Sequence, residues 1–151
     1  MSGFIALEWD NNTYQADLGL DDNGLIRKDG AFETTSITSL FSWARDESAN
    51  TVELPQKFGW WGNSFSDSES DNYGSLLWTF RRAKNSFEAR SRLERTVLDA
   101  FDWMLQDEVA QSVDAEVERF DLQTVALKVS IARADGKRWD NIWEIQRSAI
   151  L

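Results

Sequence analysis

Between residues 86 and 145 the spacing of apolar residues changes period, and that change restricts what this chain can fold into. Leu93, Val97, Leu98, Ala100, Phe101, Met104 and Leu105 recur every three or four residues, the spacing of a helix from about Ser86 to Gln106 with a wide apolar stripe. Asn85-Ser86-Phe87-Glu88 ahead of it has capping-box form, with Asn85 in the role usually taken by Ser or Thr. Beyond the helix the period is two. Val113, Ala115 and Val117 alternate with Asp114, Glu116 and Glu118, and Val125, Leu127, Val129 and Ile131 alternate with polar partners. A third strand carries Trp139, Trp143 and Ile145.

The turn between the last two strands sets their register. A two-residue Asp135-Gly136 loop would place apolar residues opposite Asp and Glu. A three-residue loop, Ala134 to Gly136, pairs Ile131 with Trp139, Leu127 with Trp143 and Val125 with Ile145, with a bulge at Gly136. The second keeps the apolar set on one face and is the expected arrangement.

Upstream, Phe4 to Trp9 and Tyr14 to Leu18 read as a short hairpin around Asp10-Asn11-Asn12. Phe32, Ile37, Leu40, Phe41 and Ala44 predict a helix from about 32 to 44. Residues 46–74 form a long irregular loop rich in Ser, Asp, Asn and Gly, and a loop of this length in a compact domain is expected to be either functional or partly disordered. The reading is α+β: one domain over 1–151, with two main helices packed on a small, mostly antiparallel sheet and a long Trp-containing loop.

Chemistry finds little footing. The chain has no His and no Cys, which removes His-dependent nucleophilic catalysis and thiolate metal sites. Asp21-Asp22-Asn23-Gly24 resembles a fragment of a calcium loop without the spaced ligands of one. Glu33 and Glu53, flanking the Trp loop, are the best-placed carboxylates for glycoside hydrolysis, which needs one raised carboxyl and a second at defined separation. The chain is read as non-catalytic, without metal or cofactor. A net charge of −10 disfavours nucleic acid, and no apolar run is long enough to span a bilayer. The one basic segment is Arg81, Arg82 and Lys84 followed by Arg90, Arg92 and Arg95.

Eight Trp is more than one core of this size needs, and surplus Trp and Arg suit protein interfaces. Trp60 and Trp61 lie side by side between Gly59 and Gly62. They are read first as core, one ring completing it under the loop and the other packing on a helix, with a contact for another protein or a sugar-stacking platform as the other readings.

Four segments in order, DGAFETTSITSLFSWAR, LPQKFGWWGN, YGSLLWTFRRAK and LDAFDWMLQDEVAQSVDAEVER, resemble the Mu-like phage baseplate wedge family of contractile tails. The likeness spans roughly residues 25 to 145. GWWG followed at this distance by GSLLW is its most specific part. The resemblance implies a structural protein of the virion tail baseplate, made in the host bacterial cytoplasm and similar to the small sheath-initiating wedge proteins. Its implied partners are larger baseplate wedge proteins and the tail sheath subunit, with the central hub or spike as a further neighbour, and neither nucleic acid nor membrane. The implied partner interface comprises Trp60, Trp61, Asn63, Arg81, Arg82, Lys84 and Glu108. Asn63 stands where the family often has Asp, and Glu108-Val109-Ala110 retains only the Glu of a wider Glu-Pro-Arg triplet. A protein that templates sheath assembly by strand addition needs an accessible sheet edge, and the last strand, with Trp139, Ile142, Trp143 and Ile145, is the expected one. The alternative is a carbohydrate-binding module or tail-associated glycan hydrolase using Trp60 and Trp61.

Overall fold

The period change is realised as a long helix doubling back into a three-stranded antiparallel sheet. The computed structural model describes residues 5–28, 31–44, 65, 73–82, 86–119 and 121–146. Strands β1 (Leu7–Asp10) and β2 (Gln15–Leu18) form a hairpin, followed by helix α1 (Ala31–Phe41). After the long intervening segment come a 3-10 helix (Leu77–Arg82) and helix α2 (Phe87–Gln106). The larger sheet is β3 (Ala110–Arg119), β4 (Thr124–Arg133) and β5 (Arg138–Gln146), with β4 in the middle. The architecture is α+β.

Register follows the apolar pattern. Val125 pairs with Ile145, Leu127 with Trp143 and Ile131 with Trp139. Gly136 in the connecting turn takes φ +82, a left-handed conformation that suits glycine, and the three-residue loop is the one formed. The core side of this sheet meets both helices. Ile37 and Leu40 of α1, Leu93, Val97, Phe101 and Met104 of α2, and Leu127, Ile131, Trp143 and Ile145 share one buried cluster with Leu77, Trp78 and Phe80.

Three local expectations are corrected. First, α1 stops at Phe41 instead of running to Ala44, because the next residues turn to bond another segment. The Ser75 N–H donates to Ser42 O (2.8 Å), and the Ala44 N–H donates to Ser75 O (2.9 Å). Second, the cap of α2 is Ser86, whose side chain accepts from the Ala89 N–H. One residue of frame shift places Glu88 too early to close a capping box. Third, Leu98 and Leu105 lie outside the core, 37% and 40% exposed, because the buried side of α2 is centred on Val97, Phe101 and Met104.

Candidate functional site

The described elements place two kinds of surface where a partner could act: the ends of the long Trp-containing segment and the edges of the larger sheet. Trp60, Trp61, Asn63 and Lys84 lie outside the described residues, as does Glu53. Arg81 and Arg82 end the 3-10 helix.

The ends of the Trp-containing segment are clamped together. Ala44, three residues past the end of α1, and Tyr73 bound this segment, and Trp43 and Ser75 form a parallel bridge there. The Ser75 hydroxyl donates to Leu40 O, and the Trp78 indole N–H donates to Ala44 O at 2.9 Å. Trp78 is buried and its ring lies 6.1 Å from that of Trp43. Thus the Trp of GSLLW closes the base of the segment that contains GWWG.

Glu108 occupies a strained position. Helix α2 ends in a Schellman turn: the Glu108 N–H donates to Leu105 O (3.2 Å) and the Val109 N–H to Met104 O (2.9 Å). Such turns put a left-handed residue at the site Glu108 fills, and its φ is +58. Glycine is the usual occupant, and a side chain there costs about 1 kcal/mol. Glu108→Gly should therefore raise the unfolding free energy, by about 1 kcal/mol, as read by urea denaturation. A destabilised variant would show that the Glu side chain supports the turn itself.

Strand β5 lies at one sheet edge, but Trp143 and Ile145 point into the core and are 0% and 1% exposed. They cannot offer side chains to a partner. Trp139 is half-buried, packed edge-on against Phe32 with ring centroids 5.3 Å apart, while Ile142 is 52% exposed. The outward backbone of β5 is bonded by another element at Glu144. The Glu144 N–H donates to Asn11 Oδ1 (2.9 Å), and Glu144 O accepts from the Trp9 indole (3.2 Å). The Ile142 N–H is taken by Asn141 Oδ1 (2.8 Å). The hairpin supplies the two bonds to Glu144, because Trp9 stacks on Phe41 of α1, 4.2 Å between ring centroids, which holds β1 against β5. Sequence periodicity carries no trace of this, since the pairing joins residues more than 130 positions apart.

The opposite edge, β3, is bonded differently. The Val117 N–H donates to Glu94 Oε1 of α2 at 3.0 Å, so the backbone groups of Val117 point away from β4. By the alternation of an antiparallel ladder, those of Val113 and Ala115 do the same. Asp114, Glu116 and Glu118 put their side chains on the exposed sheet face, where Lys128 reaches Glu118 at 2.7 Å.

Carboxylate chemistry is limited among the described residues. Burial raises the Glu33 carboxyl above an ordinary glutamate; the charge of Glu8 adds to this, while Arg27 and a long hydrogen bond from Asn141 oppose it. Because the folded-state value lies above the unfolded one, folded chains hold this proton longer. The contribution of Glu33 to stability therefore falls as pH rises from the normal glutamate range through its raised midpoint. In Glu8→Gln the midpoint should move down in a carbon-detected NMR titration; an unmoved midpoint would mean that Glu33 does not sense that charge. Asp21 spends a carboxylate oxygen on the backbone N–H groups of Asn23 and Leu25, both at 2.9 Å. No group of three or more acidic side chains among the described residues is placed to hold a metal ion, and no helix among them is long and apolar enough to cross a membrane.

A family model described as phage protein GP46 matches residues 32–138. The chain belongs to this family. A Mu-like prophage FluMu protein gp46 of Haemophilus influenzae is 30% identical over 132 residues, covering 87% of this chain and 88% of that protein. The baseplate protein gp46 of Escherichia phage Mu is 24% identical over 135 residues, with coverage of 87% and 88%. The Mu-like baseplate family read from the ordered motifs is thus the family the comparisons return. Its GP46 match starts in α1 and ends at the first residue of β5, so it includes the clamp at Ser75, the Glu108 turn and the β3 edge.

Proposed function

We propose that this GP46-family chain is a structural subunit of the baseplate of a contractile phage tail or phage-tail-like particle. It acts as a small wedge protein that docks on larger wedge proteins and helps initiate the sheath. The observation that carries the reading is near full-length similarity to a protein named as a phage Mu baseplate component. The geometry supports an interaction role: a strained exposed acid at Glu108, a clamped base beneath the Trp60–Trp61 segment, and a sheet that places acidic side chains on its outer face. In this reading Trp60, Trp61, Asn63, Arg81, Arg82, Lys84 and Glu108 meet the wedge partners, and the role is structural, not catalytic.

Co-expression with the larger wedge protein of the same particle, followed by size exclusion with light scattering, tests the docking step. A stable complex is expected, weakened when Trp60 and Trp61 are both changed to Ala in a protein that still melts cooperatively. Elution of the two chains as separate species would overturn the docking role.

A further inference from the structure

Two surfaces of the folded chain are left uncovered, and they match in length, apolarity and charge. The first is a line along α2. At about 100° per residue, Phe87, Leu98 and Leu105 fall within roughly 20° of one another, just beside the buried side of the helix. All three are exposed, Phe87 at 73%. Arg95 flanks this line, is exposed, and forms no ion pair among the described residues. Further along the same flank, Asp102 is exposed as well.

The second surface is the outer face of the larger sheet, since both helices share the buried cluster on its other face. Across the three strands Glu116, Lys128 and Ile142 stand in one row, followed by Glu118, Ala126 and Glu144 in the next. Ile142 is exposed, and small Ala126, Ser130 and Ala132 keep the central strand low around Lys128. With Asp114 and Asp140 this face carries five carboxylates against two cations, Lys128 and Arg138, a surplus of three negative charges. Lys128 is engaged by Glu118 and Arg138 by Asp140, so the surplus lies at Asp114, Glu116 and Glu144. The lengths agree too: twenty helical residues rise about 30 Å, and nine or ten strand residues run about 30 Å.

We propose that α2 of one copy of this chain seats its Phe87–Leu98–Leu105 line on the outer sheet face of a second copy. The apolar line covers Ile142 and the small residues of β4, giving the sheet helices on both faces. The helix lies with its Arg95 half over the Glu118–Glu144 end of the sheet and its Asp102 half over the Arg138 end, which sets opposite charges together at both ends. Sheet face on sheet face would instead oppose two acidic surfaces. The net charge of −10 repels at long range, but screening within about 8 Å at physiological salt leaves the local charges to choose the partner. The contact is heterologous: each copy offers both surfaces, so association propagates from copy to copy until a ring closes. This inference goes beyond the baseplate reading and does not rest on it, because no wedge protein takes part.

Sedimentation and light scattering on the full chain, at about 0.15 M salt, read the assembly. Species at multiples of 17.3 kDa should grow with concentration into the high micromolar range. Two variants each remove one surface: Arg95→Glu with Leu98→Glu on the helix, and Glu116→Lys with Ile142→Lys on the sheet. Each alone should be monomeric. Mixed, they should form a dimer and nothing larger, because the helix of the second variant still fits the sheet of the first. Arg95→Gln and Glu116→Gln change charge alone; each should weaken association at least threefold and keeps the test decisive if a double variant fails to fold. A wild-type chain that stays monomeric, a mixture that stays monomeric, or a helix variant that still pairs with itself would overturn the proposal. A monomeric chain that joins the larger wedge protein leaves the baseplate reading standing and this one overturned. A chain that self-associates in this way but ignores the wedge protein separates the two readings the other way.

Discussion

Trp143→Ala should lower the unfolding free energy by about 3–5 kcal/mol, the range for emptying the site of a large buried aromatic. The indole is fully buried, and its strand position is opposite Leu127, at the centre of the core face. Its ring also lies 5.7 Å from that of Trp139, so truncation removes an aromatic neighbour as well as apolar contact area. At roughly 2–4 °C per kcal/mol for a chain of this length, the melting temperature should drop by about 10 °C. Trp143→Phe should be much milder. The Trp143 indole N–H is buried without a hydrogen-bond partner among the described residues, and such an orphaned donor costs about 1–3 kcal/mol. Phenylalanine gives up some contact but also deletes that donor, so a net loss of about 1 kcal/mol is expected. Equal losses for the two variants in urea denaturation would show that the N–H is satisfied and that shape alone matters.

The second large effect is expected at Gly74. Its φ is +101, a backbone conformation that L side chains rarely adopt. A Cβ there would stand 2.7 Å from Ser42 O and 2.9 Å from Ala44 N. Both obstacles are backbone, so no side chain can swing away. To admit alanine, the chain must open the bridge formed by the Ser75 N–H to Ser42 O and the Ala44 N–H to Ser75 O. The Trp78 indole bond to Ala44 O would loosen with it. Strain and lost hydrogen bonds together give a destabilisation of about 3 kcal/mol or more for Gly74→Ala. A loss below about 1 kcal/mol in thermal or urea unfolding would mean that this clamp contributes little. Because the clamp fixes where the Trp60–Trp61 segment leaves and rejoins the body, the variant should also weaken the proposed complex with a larger wedge protein under conditions where it stays folded.

The two variants probe different links in the same chain of causes. Trp143 reports on the sheet core, which the apolar period already implies. Gly74 reports on a long-range backbone contact that no local pattern announces, although the GSLLW motif marks its place.

Much of the molecule was legible in the amino-acid sequence because local periodicity and turn chemistry act over a few residues. Alternation determined β3, β4 and β5, and the three-residue loop at Gly136 determined the register of the last two, since a one-residue slip would set apolar residues opposite Asp and Glu. The 3.6-residue stripe determined α2 and its inner residues, and the ordered motifs identified the family. What the tertiary structure decided are contacts between residues far apart in sequence. Whether α1 ended at Phe41 or ran to Ala44 depended on Ser75, more than thirty residues away. That the outward backbone of β5 is bonded at Glu144 depended on Trp9 and Asn11 reaching it. Leu98 and Leu105 read as core because hydrophobicity reports that a side chain avoids water, not whether its own chain supplies the cover. Which side of α2 faces the core is settled only once the helix, the Schellman turn and the strand have packed together, and Leu98 and Leu105 fall outside the side centred on Val97, Phe101 and Met104.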